Sequence, residues 1–235
     1  MQGRQRDGEA MPVLETARSS KAEAVYGELK EAILSGALEP GGSIDKSAVC
    51  ERLGVSRFPV SSAISRLAFE RLVVIEPQHG SFVARISLES VRERMFIRRA
   101  LEGEIAAQAA VRMNIAARDA LEASIAEQQR AVDTGDRSRF YALDLAFHRL
   151  LTTPLALVHC NEILDALRSH LERVRRMLMA SRGRMQMTVH EHNAVALAIA
   201  QGDAAGASAA MERHLSQMTK TFETFARENP DLFSP

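Results

Sequence analysis

Three observations predict a mainly α-helical chain with a small N-terminal part and a larger C-terminal helical part. Ala, Leu, Arg and Glu abound, aromatics are 5% and Trp is absent, a composition that favours helices over sheets. Apolar residues recur at helical spacing along most of the sequence. That period gives way to a strand-like pattern once, over residues 72–84. The length, 235 residues, suits one large domain or two small ones.

The elements follow in order. Residues 1–19 are polar, with Gly and Pro and no period, and are expected to be a mobile tail. Val25, Leu29 and Ile33 form a helical stripe over residues 22–34. Ser35-Gly36 ends it, and Glu39-Pro40-Gly41-Gly42 is a turn. Asp45 or Ser47 can cap a short second helix that turns Val49 and Leu53 inward and stops at Gly54. A third helix follows Val55-Ser56-Arg57, tolerates Pro59 in its first turn, and buries Val60, Ile64, Leu67 and Ala68. Residues 72–75 and 81–84 read as two short strands joined by a turn over residues 76–80. This order, three helices and a hairpin over residues 20–86, is that of a winged helix-turn-helix. From residue 87 onward no strand is expected. Helical patterns run over residues 88–113, 117–133, 137–152, 155–180, 185–201 and 203–227, with short connections, and predict an antiparallel bundle over residues 87–228.

Charge and cysteine content exclude several classes. Lys+Arg and Asp+Glu are 30 each, and the balance is even within residues 1–86 and within residues 87–235. No global field points to nucleic acid or membrane, so any nucleic-acid contact rests on a few placed cations. Cys50 and Cys160 are far apart and belong to no C-x-x-C, which indicates neither a disulfide framework nor a zinc ribbon. No apolar run reaches about 18 residues, and the N-terminus has no apolar stretch of a secretory signal. A cytoplasmic protein with no membrane partner is expected.

Candidate site residues fall into two groups. In the winged part, Arg57 opens the third helix, where a guanidinium fork suits guanine or phosphate. Ser56, Ser61 and Ser62 are small donors beside it, although Ser56 is equally a cap. Lys46 and Ser47 begin the second helix, where amides and a cation suit a phosphate. His79 and Gly80 lie at the wing tip. In the bundle, Asp144 and His148 share a helix face by i, i+4 spacing, within a stripe of Phe140, Phe147 and Leu151. His192 shares a face with Val189, Ala196 and Ile199, and His214 lies among Met211, Leu215 and Met218. Four polar groups turned inward are costly unless paired. A shared divalent ion, zinc or nickel by its donors, offers each a partner, and a buried hydrogen-bond network is the alternative. Arg98 and Glu102 are also i, i+4. They read either as an intrahelical ion pair or, beside a metal, as part of a receptor for a carboxylate. Arg173, Arg175, Arg176, Arg182 and Arg184 read as a basic helix end and loop.

Two sets of motifs then carry a resemblance. The first is Ile33-Leu34-Ser35-Gly36-x-Leu38-x-Pro40-Gly41, Leu53-Gly54-Val55-Ser56-Arg57-x-Pro59-Val60, Leu67 and Pro77-x-x-Gly80-x-x-Val83. It resembles the DNA-binding domain of the GntR family of bacterial transcription regulators. The second is Arg98-x-x-Leu101-Glu102, Asp144-x-x-x-His148, Glu191-His192, Ala198-Ile199, Gly202-Asp203 and His214. It resembles the helical effector-binding domain of that family's FadR-like branch. The resemblance implies a DNA-binding repressor, with residues 87–228 serving effector binding and dimerisation. It also implies a metal held by Asp144, His148, His192 and His214, and operator contact by Arg57. A small organic acid on the metal and Arg98 would be the effector, and a homodimer would read paired half-sites. One departure stands out. The family usually carries Arg then Glu after Pro-Val, where this chain has Ser61 and Ser62, so a different or weaker base readout is expected there. The alternatives are a metal-dependent enzyme acting on a small carboxylate and a ligand-free helical dimerisation module. The chain lacks a nucleophile–base pair and a phosphate loop, and the winged part would serve no purpose in such an enzyme.

Overall fold

The structure, a computed structural model, describes residues 14–178 and 182–234. It divides into two compact units, Met1–Ala84 and Arg85–Pro235.

The first unit contains α1 (Leu14–Leu34), α2 (Lys46–Leu53), α3 (Arg57–Phe69), β1 (Val73–Glu76) and β2 (Gly80–Val83). The expected mobile tail lies outside the described residues as far as residue 13. Leu14–Ser19, expected in that tail, instead open α1. After Pro12 nothing breaks a helix here, and extending one already nucleated adds a hydrogen bond per residue. Asp45 caps α2 by accepting from the amides of Ser47 and Ala48, and Gly54 ends it in the left-handed region. Val25, Leu29, Ile33, Val60, Ile64 and Leu67 form the core between α1 and α3. A polar clasp closes one side. Tyr26 Oη donates to Glu70, Lys30 Nζ lies 2.8 Å from Glu70 Oε2, and the Arg66 guanidinium sits 3.6 Å over the Tyr26 ring. The β1–β2 hairpin is antiparallel, and Ser43 bridges to Phe82 on its outer edge.

The second unit contains β3 (Ile86–Ser87), α4 (Leu88–Arg112), α5 (Ile115–Thr134), α6 (Arg137–Thr152), α7 (Val158–Leu178), α8 (Arg182–Ala200), α9 (Ala204–Glu228) and β4 (Phe233–Ser234). Asn114, Asp136 and Asp203 cap α5, α6 and α9 through their side chains. Two expectations are corrected. The helix expected from residue 155 begins at Val158, because a 3₁₀ turn (Thr153–Leu155) and Ala156 at φ 56° intervene; its residues 179 and 180 lie outside the described residues. A strand does occur after residue 87. Phe233 buries its ring against Phe222 and Phe225, and β4 pairs in parallel with β3. Two residues are too short to show a period. Arg118 ties two helix ends together by donating to the carbonyls of Ala110, Met113 and Ala200. No helix among the described residues is long and apolar enough to cross a membrane.

Candidate functional site

In the first unit the exposed face of α3 presents Arg57, Phe58, Ser61 and Ser62, while Pro59, Val60, Ala63 and Ile64 face the core. Ser56 stands at the N-cap position, yet its hydroxyl makes no cap hydrogen bond. The first-turn N–H groups of α3, those of Arg57 and Phe58 since Pro59 has none, are therefore without a side-chain cap. The N-terminus of α2 is different. Asp45 occupies the amides of Ser47 and Ala48, so the expected amide contact to a phosphate is closed there. The Lys46 ammonium and the Ser47 hydroxyl remain. No acidic residue occurs within α3, whose cations are Arg57 and Arg66. Arg66 is held by Glu23 at 2.6 Å, which leaves Arg57 as the outward guanidinium of the first turn. Phe58 is 72% exposed there. Sequence reasoning passed over it, although an aromatic between Arg57 and Pro59 on a polar face was the available signal. His79 and Gly80 are exposed at the hairpin tip, where Gln78 takes φ 64° and Gly80 φ 124°.

In the second unit four helices converge. Asp144 and His148 project from α6, His192 from α8, His214 from α9, and Arg98 and Glu102 from α4, and all six are buried. One nitrogen from each of His148, His192 and His214 lies within 4.8 Å of the others. The ring of Phe147 stacks on His192 at 3.9 Å between centroids, which fixes that imidazole from one side.

The outer nitrogens of these rings each face an oxygen. His192 Nδ1 lies 2.8 Å from Gln128 Oε1, and His214 Nδ1 lies 2.8 Å from Glu191 Oε2. His148 Nδ1 lies 2.6 Å from Glu102 Oε2, close but off the line of a good hydrogen bond. An acceptor at Nδ1 selects the tautomer protonated there and leaves Nε2 with a lone pair. Nε2 of His148 and of His192 finds no hydrogen-bond partner among the described residues. Burial drives the three imidazoles toward the neutral form. His148 falls to about 3, His192 lies well below its ordinary value, and His214 is lowered despite the pull of Glu191. Neutral imidazoles, oriented by a second partner and turned toward one another, fit the donor set of a borderline divalent ion.

Asp144 stands beside this trio. Its Oδ1 is 3.7 Å from His192 Nε2, and its Oδ2 is paired with Arg175. A shared cation is therefore not needed to balance Asp144, whose charge Arg175 already meets. Glu102 proves to be a hub, pairing with Arg98 at 2.6 Å, Arg168 at 3.1 Å and His148. Burial alone would raise its pKa, yet Arg98, His148 and Arg168 hold it well below the usual carboxylate value. Its geometry is that of a positioning group for His148 and Arg98. Arg184 forks onto Glu191 at 2.9 and 3.2 Å, which braces the acceptor of His214. Sequence reasoning left Gln128, Arg168, Arg175 and Arg184 unassigned and gave Glu191 no role. Burial lowers Arg175 to about 10, still charged at neutral pH. Its Nε and Nη1, like Arg98 Nη2, are buried without a partner among the described residues. Unpartnered guanidinium donors beside a histidine cluster are suited to an anion.

Two family models match the chain. Residues 21–83 match the family described as bacterial regulatory proteins, gntR family, and residues 93–217 match the FCD domain. The chain is 30% identical to the HTH-type transcriptional repressor RspR of Escherichia coli (strain K12), over 89% of this chain and 92% of that one. It is 27% identical to the HTH-type transcriptional regulator LutR of Bacillus subtilis (strain 168), over 84% and 99%. Among solved structures, a GntR transcriptional regulator described as putative, from Rhodococcus sp. RHA1, superposes with a TM-score of 0.70 at 20% identity, over 87% of this chain and 98% of that one. E. coli McbR/YncC superposes with a TM-score of 0.67 at 19% identity, over the same shares.

Proposed function

The chain belongs to the gntR family of bacterial regulatory proteins, as a DNA-binding transcription regulator with an FCD domain, and we propose that it acts as a cytoplasmic homodimeric repressor whose hold on operator DNA answers to a small carboxylate bound beside a divalent metal ion. In this reading residues 20–86 contact DNA, with Arg57, Ser56, Ser61, Lys46, Ser47, His79 and Gly80 on the contacting surface. Residues 87–228 bind the effector and dimerise, since one winged helix reads one half-site and paired half-sites supply affinity.

The observation that carries the metal reading is the set of three buried histidines with an oxygen at every Nδ1. His148, His192 and His214 would hold the ion, with Asp144 beside them, and the donor set suits zinc or nickel. A bound divalent ion supplies a Lewis-acid contact for one carboxylate oxygen. Arg98 and Arg175 offer their unpartnered donors to the same anion. Glu102 keeps Arg98 and His148 in place. The effector pocket would communicate with the DNA-binding part along the chain. Helix α4, which carries Arg98, starts at Leu88, shortly after β2 ends at Val83. The segment between them pairs with β4, which follows the His214 helix α9. A ligand that favours one arrangement of α4 and α9 therefore biases the segment leading to the wing.

Elemental analysis of purified protein, followed by zinc and nickel titration of the stripped form, tests the reading. About one divalent ion per chain is expected. Arg98→Ala should keep the metal and weaken the acid, because one anchor of two is lost. Protein that is metal-free as purified and takes up neither ion would overturn the metal site.

A further inference from the structure

We propose that the acid accepted by this site is an apolar monocarboxylate, a short alkyl or branched chain on one carboxyl group, rather than a hydroxylated or sugar acid. This rests on the reading above, that a carboxylate binds among the histidines and arginines.

Two rooms border residues of the site, one at Arg175, which pairs with Asp144, and one at His214, and they differ in chemistry. One is a slot between α4, α7 and α9, walled by Met95, Leu171, Val174, Met218 and Phe222 with Arg175 as its charged member. The other is an open depression of about 520 Å³ outside His214, lined by His190, Arg213, Ser216, Gln217 and Lys220. The second is the roomier and the more polar, and a polyhydroxylated acid would suit it. The unsatisfied donors lie with the first. Arg175 is a member of the slot, and its Nε and Nη1 have no partner among the described residues. Arg98 Nη1 lies 3.9 Å from the sulfur of Met95, a slot wall, and Arg98 Nη2 is likewise without a partner. On the side of His214, by contrast, Glu191 is already forked by Arg184.

A carboxyl group drawn to Arg98 and Arg175 therefore sends its tail along α7 into the slot. Apart from Arg175, whose donors the carboxyl group takes, the walls there carry no polar side chain to meet a ligand hydroxyl. Each hydroxyl carried into such a place loses its water without replacement. The slot thus selects by what it fails to hydrogen-bond. Its free volume is about 10 Å³, no more than one water requires. Binding must therefore displace wall side chains, and Met95 and Met218 are the flexible, polarisable kind that adapts. An acid that enters parts α7 from α4 and α9, which gives the site a mechanical output as well as a specificity.

The test is calorimetric titration of the zinc-loaded full chain with hexanoate and with gluconate, two six-carbon acids that differ in hydroxyl content. Hexanoate should bind at least about tenfold more tightly. Val174→Phe, which fills the slot, should weaken hexanoate by about tenfold or more while zinc content stays the same. Leu171→Met is the milder variant should Val174→Phe fail to fold, and it should shift hexanoate affinity without changing zinc content. Gluconate binding as tightly as hexanoate, or hexanoate binding that ignores both slot variants, overturns the inference and leaves a carboxylate site standing. If neither acid binds the zinc-loaded chain, the carboxylate reading itself falls, and the inference with it.

Discussion

The residues proposed to carry function lie at the surface in the first unit and in the core in the second. In the first, the residues proposed to meet DNA are exposed, and the core of Val25, Leu29, Ile33, Val60, Ile64 and Leu67 forms without them. In the second, the residues proposed to sense are themselves the polar centre of the core. Asp144, His148, His192, His214, Arg98 and Glu102 are all buried, and each leans on another. Exposed residues such as Ser61 and Ser62 can be exchanged at little cost in stability. Those of a buried sensor cannot, because they are tied to neighbours, His192 to Gln128, His214 to Glu191, and Asp144 to Arg175.

The comparison can be broken by experiment, starting where the effect should be largest. His214→Ala should lower metal occupancy and the melting temperature together. With metal at a thousandfold over its dissociation constant, linkage is worth about 4 kcal/mol, or roughly 10 °C for a domain of this size. A variant that loses the ion but melts normally would separate sensing from folding. Gln128→Leu removes the acceptor of His192 Nδ1 and should weaken metal binding about 10- to 100-fold, the usual toll of a lost outer partner. Titration of the stripped variant with zinc measures it.

Acid should act on the same unit. The folded pKa of His148 is about 3, against an ordinary 6.5, and His192 and His214 are also lowered. Through that window the unfolded chain takes up protons that the folded chain refuses. Stability is therefore full at neutral pH and falls as pH drops from about 6.5 toward 3. The lowered carboxyls of Glu102 and Glu191 push the same way below their ordinary values. Melting curves of the metal-stripped chain at pH 7.0 and 5.0, values chosen on either side of an ordinary imidazole, about 6.5, should show the acid sample less stable. Equal stability would contradict the burial argument.

The smallest effect on folding, and a clear one on DNA, belongs to Arg57→Ala. Stability should change by less than about 0.5 kcal/mol, as for other exposed sites. Operator affinity should fall by about 1–3 kcal/mol, with specificity relaxed at one base per half-site. Gel-shift titration at fixed salt measures this, and unchanged binding would remove Arg57 from the contact surface.

How much of this was readable in advance followed from periodicity. Val25, Leu29 and Ile33 announced α1 by spacing, and Asp45 and Gly54 announced the ends of α2 by their chemistry. The histidines were readable because they interrupt apolar stripes. Arg168 and Arg175 interrupt one in the same way, since Leu164, Arg168, Leu171, Arg175 and Leu178 follow one face of α7. A cluster of neighbouring arginines hid that spacing and suggested a solvated helix end. Gln128 shares the inward face of α5 with Leu121, Ser124, Ala131 and Val132, but a lone amide carries no signal of which ring it will meet. The pairing of Asp144 with Arg175 depends on how α6 and α7 cross, which sequence spacing within one helix does not contain. Residues 233 and 234 were too few to betray a strand.

The claim that the sensor is also the keystone is tested most directly by melting the metal-stripped chain with and without added zinc, alongside His214→Ala and Arg57→Ala. Zinc should raise the melting temperature of the wild type and of Arg57→Ala by a similar amount, roughly 10 °C, and leave His214→Ala where it was. Zinc that moves none of the three, or moves His214→Ala as far as the others, would contradict it.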